Sequence, residues 1–280
     1  MSNSKQRIED LAASLAPQFE QISHTIFSTP ELGLQEYRSS RYLAELMQSY
    51  GFSVKFPYCG LPTAFRAEYG KPEGPRIAFL AEYDALPGYG EGGAPAHACG
   101  HNAQLTALVG AALALSAPGV AEALSGSVAF FAVPAEEYVP IGTRQALQKQ
   151  GVEFCCGKSE LLRTGGFDGV DLALTTHVHM IPCESDLLLG NVACNGFTSK
   201  TVVFHGKAAH AATAPHAGVN ALNAAALALN AVGLLRETFR ECDTVRIHTN
   251  IREGGAALNV VPETVVMEAM VRAATLEALD

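Results

Sequence analysis

The stretches "RIAFLAEYDALPG" (residues 76–88) and "GSVAFFAVPAEE" (126–137) are nearly unbroken apolar runs of strand length, and each closes on carboxylates. Runs of this kind suit strands buried on both faces. Between them, "NAQLTALVGAALALSAPG" (102–119) reads as a helix of small residues that must pack closely. With "TAFRAEYG" (63–70) before them and "VDLALTTHVHM" (170–180) after, strands alternate with helices, which predicts an α/β layer. Polar groups in such sheets gather just beyond the carboxyl ends of the strands. Upstream, residues 4 to 51 read as two helices around a "STPELG" turn, the second ending on Gly51 as a C-cap.

After Gly190 the pattern changes. "NGFTSKTVVFHG" (195–206) alternates like a half-exposed strand, residues 217 to 238 read as a long helix, and "DTVRIHTNIREG" and "ETVVMEAMVRA" read as two further strands. The order β-α-β-β is the first two-thirds of a ferredoxin-like unit. Two domains are therefore expected, one over residues 1–190 and one over 191–280. The length of 280 residues accommodates them.

The charge balance excludes some functions. A net charge of −9 without any Lys/Arg run argues against a nucleic-acid partner. No 18-residue apolar stretch occurs, so a membrane span is not expected. The opening "MSNSKQRIEDLAASLAPQFEQ" lacks the apolar core of a secretory signal. Seven cysteines form no disulfide-framework spacing, which places the chain in a reducing cytoplasm. The adjacent Cys155 and Cys156 read as small hydrophobes rather than a redox pair.

The chemistry-bearing residues fall at or just after strand ends: Asp84, His97, Cys99, His101, Glu136, Glu137, His177 and His179. In an extended loop, residues two apart point the same way, so Cys99 and His101 can face one site. Glu136 and Glu137, side by side and buried, would repel unless a cation lay between them. With a metal present, one carboxylate can ligate while the other serves as general base. The His/Cys/Glu mixture suits zinc or a similar divalent ion. A nucleophilic or redox Cys99 with a histidine base is the rival reading, but it leaves the glutamate pair and His177 unused. The deaminase pattern "HxE…PCxxC" is absent.

Seven segments, "STPELGLQEYRSS", "AEYDALPG", "HACGHN", "PAEE", "HVHMIP", "GKAAHAATAPHAGVNAL" and "GGAALNVVPETVVMEAMVR", run in the order found in a known family. By them the chain resembles the di-metal amidohydrolase and carboxypeptidase family, in the branch of aminoacylases, indole-acetyl-amino-acid hydrolases and p-aminobenzoyl-glutamate hydrolases. The resemblance implies a mixed-sheet metallopeptidase-like catalytic domain of the α/β class, with an inserted ferredoxin-like α+β lid/dimerisation domain. It also implies two divalent metal ions, zinc or manganese, with Cys99, His101, Glu137 and His177 as metal ligands. Glu136 would be the general base and Asp84 the carboxylate that orients a ligand. His210 would reach a neighbouring subunit's site and steady the oxyanion. Asn259 and Arg272 would grip the substrate carboxylate. His179, His205 and His216 receive no role, and His97 at most supports the ligands.

The implied function is metal-dependent hydrolysis of the amide bond of an N-acyl or N-aroyl amino acid, or a small dipeptide-like substrate, in a homodimer joined through the lid. Family members are longer and supply a last histidine ligand beyond the lid, so the resemblance also implies a C-terminally truncated chain. A catalytically inactive homologue acting as a dimerisation or binding subunit is the alternative.

Overall fold

The computed structural model describes residues 2–137, 139, 141–179, 185, 187–190 and 194–280. The chain divides into two compact units, Met1–Cys183 and Glu184–Asp280.

Unit 1 begins with three helices, α1 (Ser2–Ser14), α2 (Ala16–Phe27) and α3 (Tyr37–Ser49). Its five strands are β1 (Ser53–Lys55), β2 (Phe65–Gly70), β3 (Arg76–Glu82), β4 (Ser127–Val133) and β5 (Leu172–Leu174). They form one mixed sheet in the order β1-β2-β4-β3-β5. β2 runs antiparallel to β1 and β4, while β3 runs parallel to both β4 and β5. Three strands therefore end on the same edge, and the segments that follow them meet there. Helix α4 (His101–Ser116) crosses from β3 to β4, and the short α5 (Ile141–Gln148) and α6 (Gly157–Arg163) lie between β4 and β5.

β4 is buried along its whole length, and its alternation divides the core. Val128, Phe130 and Ala132 pack with Phe79 and Ala81 of β3 and with Ile22, Leu43, Leu105 and Val109 from the helices. Ala129, Phe131 and Val133 face the other way, toward Leu34, Leu61, Val139, Val152 and Leu161. Successive side chains of a strand point to opposite faces, so a continuous apolar run is what a sheet covered on both sides requires.

Sequence and structure diverge at four places in this unit. The single helix expected before the "STPELG" turn is divided at Leu15 into α1 and α2. The strand expected over 170–180 stops at Leu174, where the Thr175 hydroxyl donates to the Leu80 carbonyl at 3.0 Å. The chain thereby leaves the ladder before His177. β1 is three residues long, too short for a periodic signal. Helices α5 and α6, of eight and seven residues, are likewise below the length at which helical spacing is readable.

Unit 2 is a three-stranded antiparallel sheet in the order β6-β8-β7, made of β6 (Gly196–His205), β7 (Arg246–Glu253) and β8 (Thr264–Ala273). Helix α7 (Ala221–Leu235) opens on Asn220, whose side chain accepts from the backbone N–H groups of Leu222 and Asn223. It packs on the sheet through Ala221 and Ala225 against Val265, with Phe204, Leu222 and Ile251 beside them. The element order is the β-α-β-β read from the sequence. No helix among the described residues is long and apolar enough to cross a membrane.

Candidate functional site

The site is built on the common edge where β3, β4 and β5 end. Just past Glu82, Asp84 is 1% exposed and acts as a bracket. One carboxylate oxygen lies 3.1 Å from His101 Nδ1, and the other accepts from the backbone N–H of Glu137 at 2.8 Å. The Asp84 carbonyl adds a second contact to His101 Nδ1 at 3.0 Å. A single residue thus holds the first turn of α4 and the segment after β4.

Two backbone features aim the donors. Gly100, at φ +82°, turns the chain between Cys99 and the start of α4. A Cβ there would press on Val178 Cγ2 at 3.0 Å, so glycine also lets the His177 segment approach. Ala135 stands at φ +54°, a conformation that costs a non-glycine residue about 1–3 kcal/mol. It is held there by its N–H donating to buried Glu36 at 2.9 Å, and the turn carries Glu136 and Glu137 over the sheet edge.

The donor atoms converge. Cys99 Sγ lies 3.5 Å from His177 Nε2, and the rings of His101 and His177 stand edge to face with centroids 6.3 Å apart. Nδ1 of His177 is 2.9 Å from the Val178 carbonyl, which it reaches by donating. With both Nδ1 atoms engaged, both Nε2 atoms are left as the coordinating nitrogens. Ligand atoms of Cys99, His101 and His177 all lie within 4.8 Å of one another, as do those of Glu82, His101 and Glu136. The Cys99 thiol also hydrogen-bonds to the Glu137 carboxylate.

The electrostatics carry a consistent sign. Glu136 is pushed above the usual carboxylate range by burial, with the charges of Glu82 and Glu137 adding to it. Burial raises Glu137 as well. The Cys99 thiol is driven up to about 12 by burial and by its carboxylate neighbours. A thiol so placed is a poor free nucleophile, which disfavours the rival cysteine chemistry. Burial opposes a charge on His101, but Asp84 and Glu82 outweigh it and lift the imidazole to about 9.

These residues fit a divalent ion. His101 Nε2 is buried and has no hydrogen-bond partner among the described residues, although the chemistry of a buried imidazole demands one. Thiolate, imidazole and carboxylate are the donor set that zinc-like ions take.

Of the other expected residues, His97 is buried beside the site, with the Ile26 backbone against its ring. His210, Asn259 and Arg272 belong to unit 2. Nδ1 of His210 accepts from the N–H groups of Ala212 and Thr213 at 3.1 and 3.2 Å, which leaves Nε2 carrying the proton of a neutral ring. Asn259 lies in the same corner, its carbonyl accepting from Ala211 N–H at 3.0 Å. Arg272 does not join them. It pairs with Phe197, eight residues along β8 from the Thr264–His205 pair, about 26 Å away at about 3.3 Å per residue. Met180, Ile181 and Pro182 of the "HVHMIP" segment lie outside the described residues.

Sequence reasoning misses two residues of the site. Glu82 is 4% exposed at the end of β3, and Lys158 of α6 forms an ion pair with it. Glu82 was within reach, because residues two apart in "EYD" share a strand face. Lys158 carries no local signal.

The mixed sheet with donors above its carboxyl edge is the α/β metallopeptidase fold. Comparison with known proteins places the chain further. A peptidase dimerisation domain profile, that of the M20 group, matches residues 192–280. Mouse Xaa-Arg dipeptidase is 35% identical over 285 residues, covering 98% of this chain and 58% of its own. One of the subunits of Escherichia coli p-aminobenzoyl-glutamate hydrolase is 32% identical over 278 residues, covering 95% of this chain and 53% of its own. A Bacillus subtilis dinuclear metal-binding peptidase of the M20 family shares the fold with a TM-score of 0.58 at 21% identity, over 95% of this chain and 66% of that one. The chain belongs to the M20 family of amidohydrolases and carboxypeptidases. It spans a little over half the length of the two curated relatives.

Proposed function

We propose that the chain carries the metal centre of a hydrolase that cleaves the amide bond of an N-acyl or N-aroyl amino acid, or of a small dipeptide-like substrate. The observation that carries this reading is the convergence of Cys99 Sγ, His101 Nε2 and His177 Nε2 beside the paired Glu136 and Glu137. The curated relatives, a dipeptidase and a p-aminobenzoyl-glutamate hydrolase, support the amide-bond class, and the dinuclear metal-binding relative supports two ions.

Cys99, His101, Glu137 and His177 would hold zinc or manganese. The ions, when bound, would polarise the scissile carbonyl and acidify a water. Asp84 keeps the lone pair of His101 Nε2 directed at the site by engaging Nδ1, and it fixes Glu137 through its backbone. Glu136, free of that bracket, takes the proton of the attacking water on a carboxylate oxygen and passes it to the leaving amine nitrogen. Its raised proton affinity matches that shuttle. His210 would donate from Nε2 to the developing oxyanion of a neighbouring subunit's site, with Asn259 nearby to meet the substrate. Arg272, at the other end of β8, would meet the substrate carboxylate apart from these two. The match of residues 192–280 to a dimerisation domain supports a homodimer joined there.

The test is a panel of N-acyl and N-aroyl amino acids and dipeptides, assayed with zinc or manganese in a version extended to the length of its relatives. Metal-dependent release of the free amino acid supports the reading. Hydrolysis that survives chelation, or is absent across the panel, contradicts it. A mixture of inactive Glu136→Gln and inactive His210→Ala proteins should regain activity if His210 acts across the dimer.

A further inference from the structure

Glu82 and Lys158 have no part in the proposed hydrolysis, yet they touch its centre. Glu82 is buried at the end of β3, with one carboxylate oxygen on Lys158 Nζ and the other 3.6 Å from His101 Nε2. His101 Nε2 is in turn 3.9 Å from a Glu136 oxygen. Glu82, His101 and Glu136 therefore form a second constellation with the spacing of a cation site, and it shares its imidazole nitrogen with the Cys99 side. A nitrogen serves one ion at a time. An ion drawn to this second side would also engage Glu136, the carboxylate that must stay free to accept a proton.

Lys158 is fixed where such an ion would be neutralised. It is the second residue of α6, and the first, Gly157, is seated on the turn that precedes Glu136. The Gly157 N–H donates to the Ala135 carbonyl at 3.3 Å, and a Cβ at 157 would lie 2.1 Å from the Pro134 carbonyl oxygen. The lysine stem runs outward, with 40% of the side chain exposed against 3% for Glu82. A buried carboxylate needs a cation beside it, and here an ammonium fills that need. An ammonium is a compact point charge on a flexible stem, so it neutralises without offering a lone pair or a rigid fork.

We propose that Lys158 is an internal counter-ion that occupies Glu82 and so keeps a divalent cation off the Glu82–His101–Glu136 side, leaving Glu136 free. The inference rests on the reading of Glu136 as base, but it concerns where ions bind and is tested by binding.

The experiment is calorimetric titration of the metal-stripped chain with manganese or zinc. In Lys158→Met, a class of sites weak in the original protein should tighten by about 10-fold, the lower end of what metal-site neighbours commonly control. In Lys158→Arg, which keeps the charge, the isotherm should stay as in the original. The tightening should vanish in the Lys158→Met/Glu82→Gln double variant. Lys158→Gln, which keeps a polar head without the charge, should tighten the same class of sites; this arm decides the matter if Lys158→Met does not fold. An unchanged or weakened isotherm in folded Lys158→Met or Lys158→Gln, or a tightening that persists without Glu82, would each overturn the proposal. Failure of the metal reading itself looks different: the original protein takes up no ion at all, and Cys99→Ser then changes nothing.

Discussion

Glu36 lies directly beneath the turn that presents Glu136 and Glu137, and its protonation should be visible in the stability of unit 1. Its carboxylate is fully buried, accepting from the Thr63 hydroxyl at 2.7 Å and from Ala135 N–H at 2.9 Å. Burial, with the nearby Asp84 charge, pushes it from 4.5 up to about 8. The folded chain then keeps a proton that the unfolded chain has lost anywhere between these two values. The associated stability is fully present below about 4.5 and is lost as pH rises through about 8. The limiting slope is about 1.4 kcal/mol per pH unit, so the loss across the whole window is on the order of 5 kcal/mol.

Glu36→Gln removes this titration. The amide oxygen can still accept from Ala135 N–H, and its NH2 can donate to the Thr63 hydroxyl, so the variant should cost no more than about 1 kcal/mol at pH 5. Urea unfolding followed by far-ultraviolet circular dichroism, from pH 5 to pH 8 at constant ionic strength, measures the difference. The transition that moves is that of Met1–Cys183. The original protein should lose stability relative to the variant as pH rises, and the order of stability should reverse toward pH 8. A difference flat to within about 0.5 kcal/mol across that range would refute the reasoning, because a carboxylate that ionises freely has no such window.

Other outcomes follow from the same geometry. Glu136→Gln should retain metal while lowering kcat by at least about 10²-fold in a catalytically competent form, whereas Glu137→Gln should lose metal; elemental analysis beside kinetics separates the two. Metal uptake should release protons and weaken as pH falls below about 9, since Asp84 and Glu82 keep His101 protonated when no ion competes; paired titrations in buffers of different ionisation enthalpy count the protons. Phe130→Ala, which empties a fully buried site stacked at 6.0 Å on Phe65, should cost about 3–5 kcal/mol in chemical unfolding.

The parts of the fold legible in the sequence are those where pattern and environment coincide. β3 and β4 are covered on both faces, so their apolar runs read directly as strands, and α7 reads from its length. The helix expected over 217–238 is nevertheless shortened to Ala221–Leu235, and the Asn220 cap that starts it goes unread. α5 and α6 are too short to show a period, and β5 ends where a threonine hydroxyl takes over a backbone contact. In the site, Asp84, Cys99, His101, Glu136 and His177 announce themselves by type and by place after a strand. Lys158 cannot, because its partner Glu82 is 76 positions away, and that pairing exists only once α6 docks on the β4 turn. Glu36 is hidden similarly: an acidic residue beside a helix start looks solvated until the Ala135 turn closes over it.

The central claim is that Cys99, His101 and His177 surround one divalent ion. Anomalous diffraction from crystals of the chain soaked in zinc measures it most directly. The expected result is a peak bonded to Cys99 Sγ at about 2.3 Å and to the Nε2 atoms of His101 and His177 at about 2.0–2.1 Å, with Glu137 completing the set. The peak should be lost or displaced in Cys99→Ser. Crystals that show zinc only at surface histidines such as His216, with His101 Nε2 still bare, would contradict it.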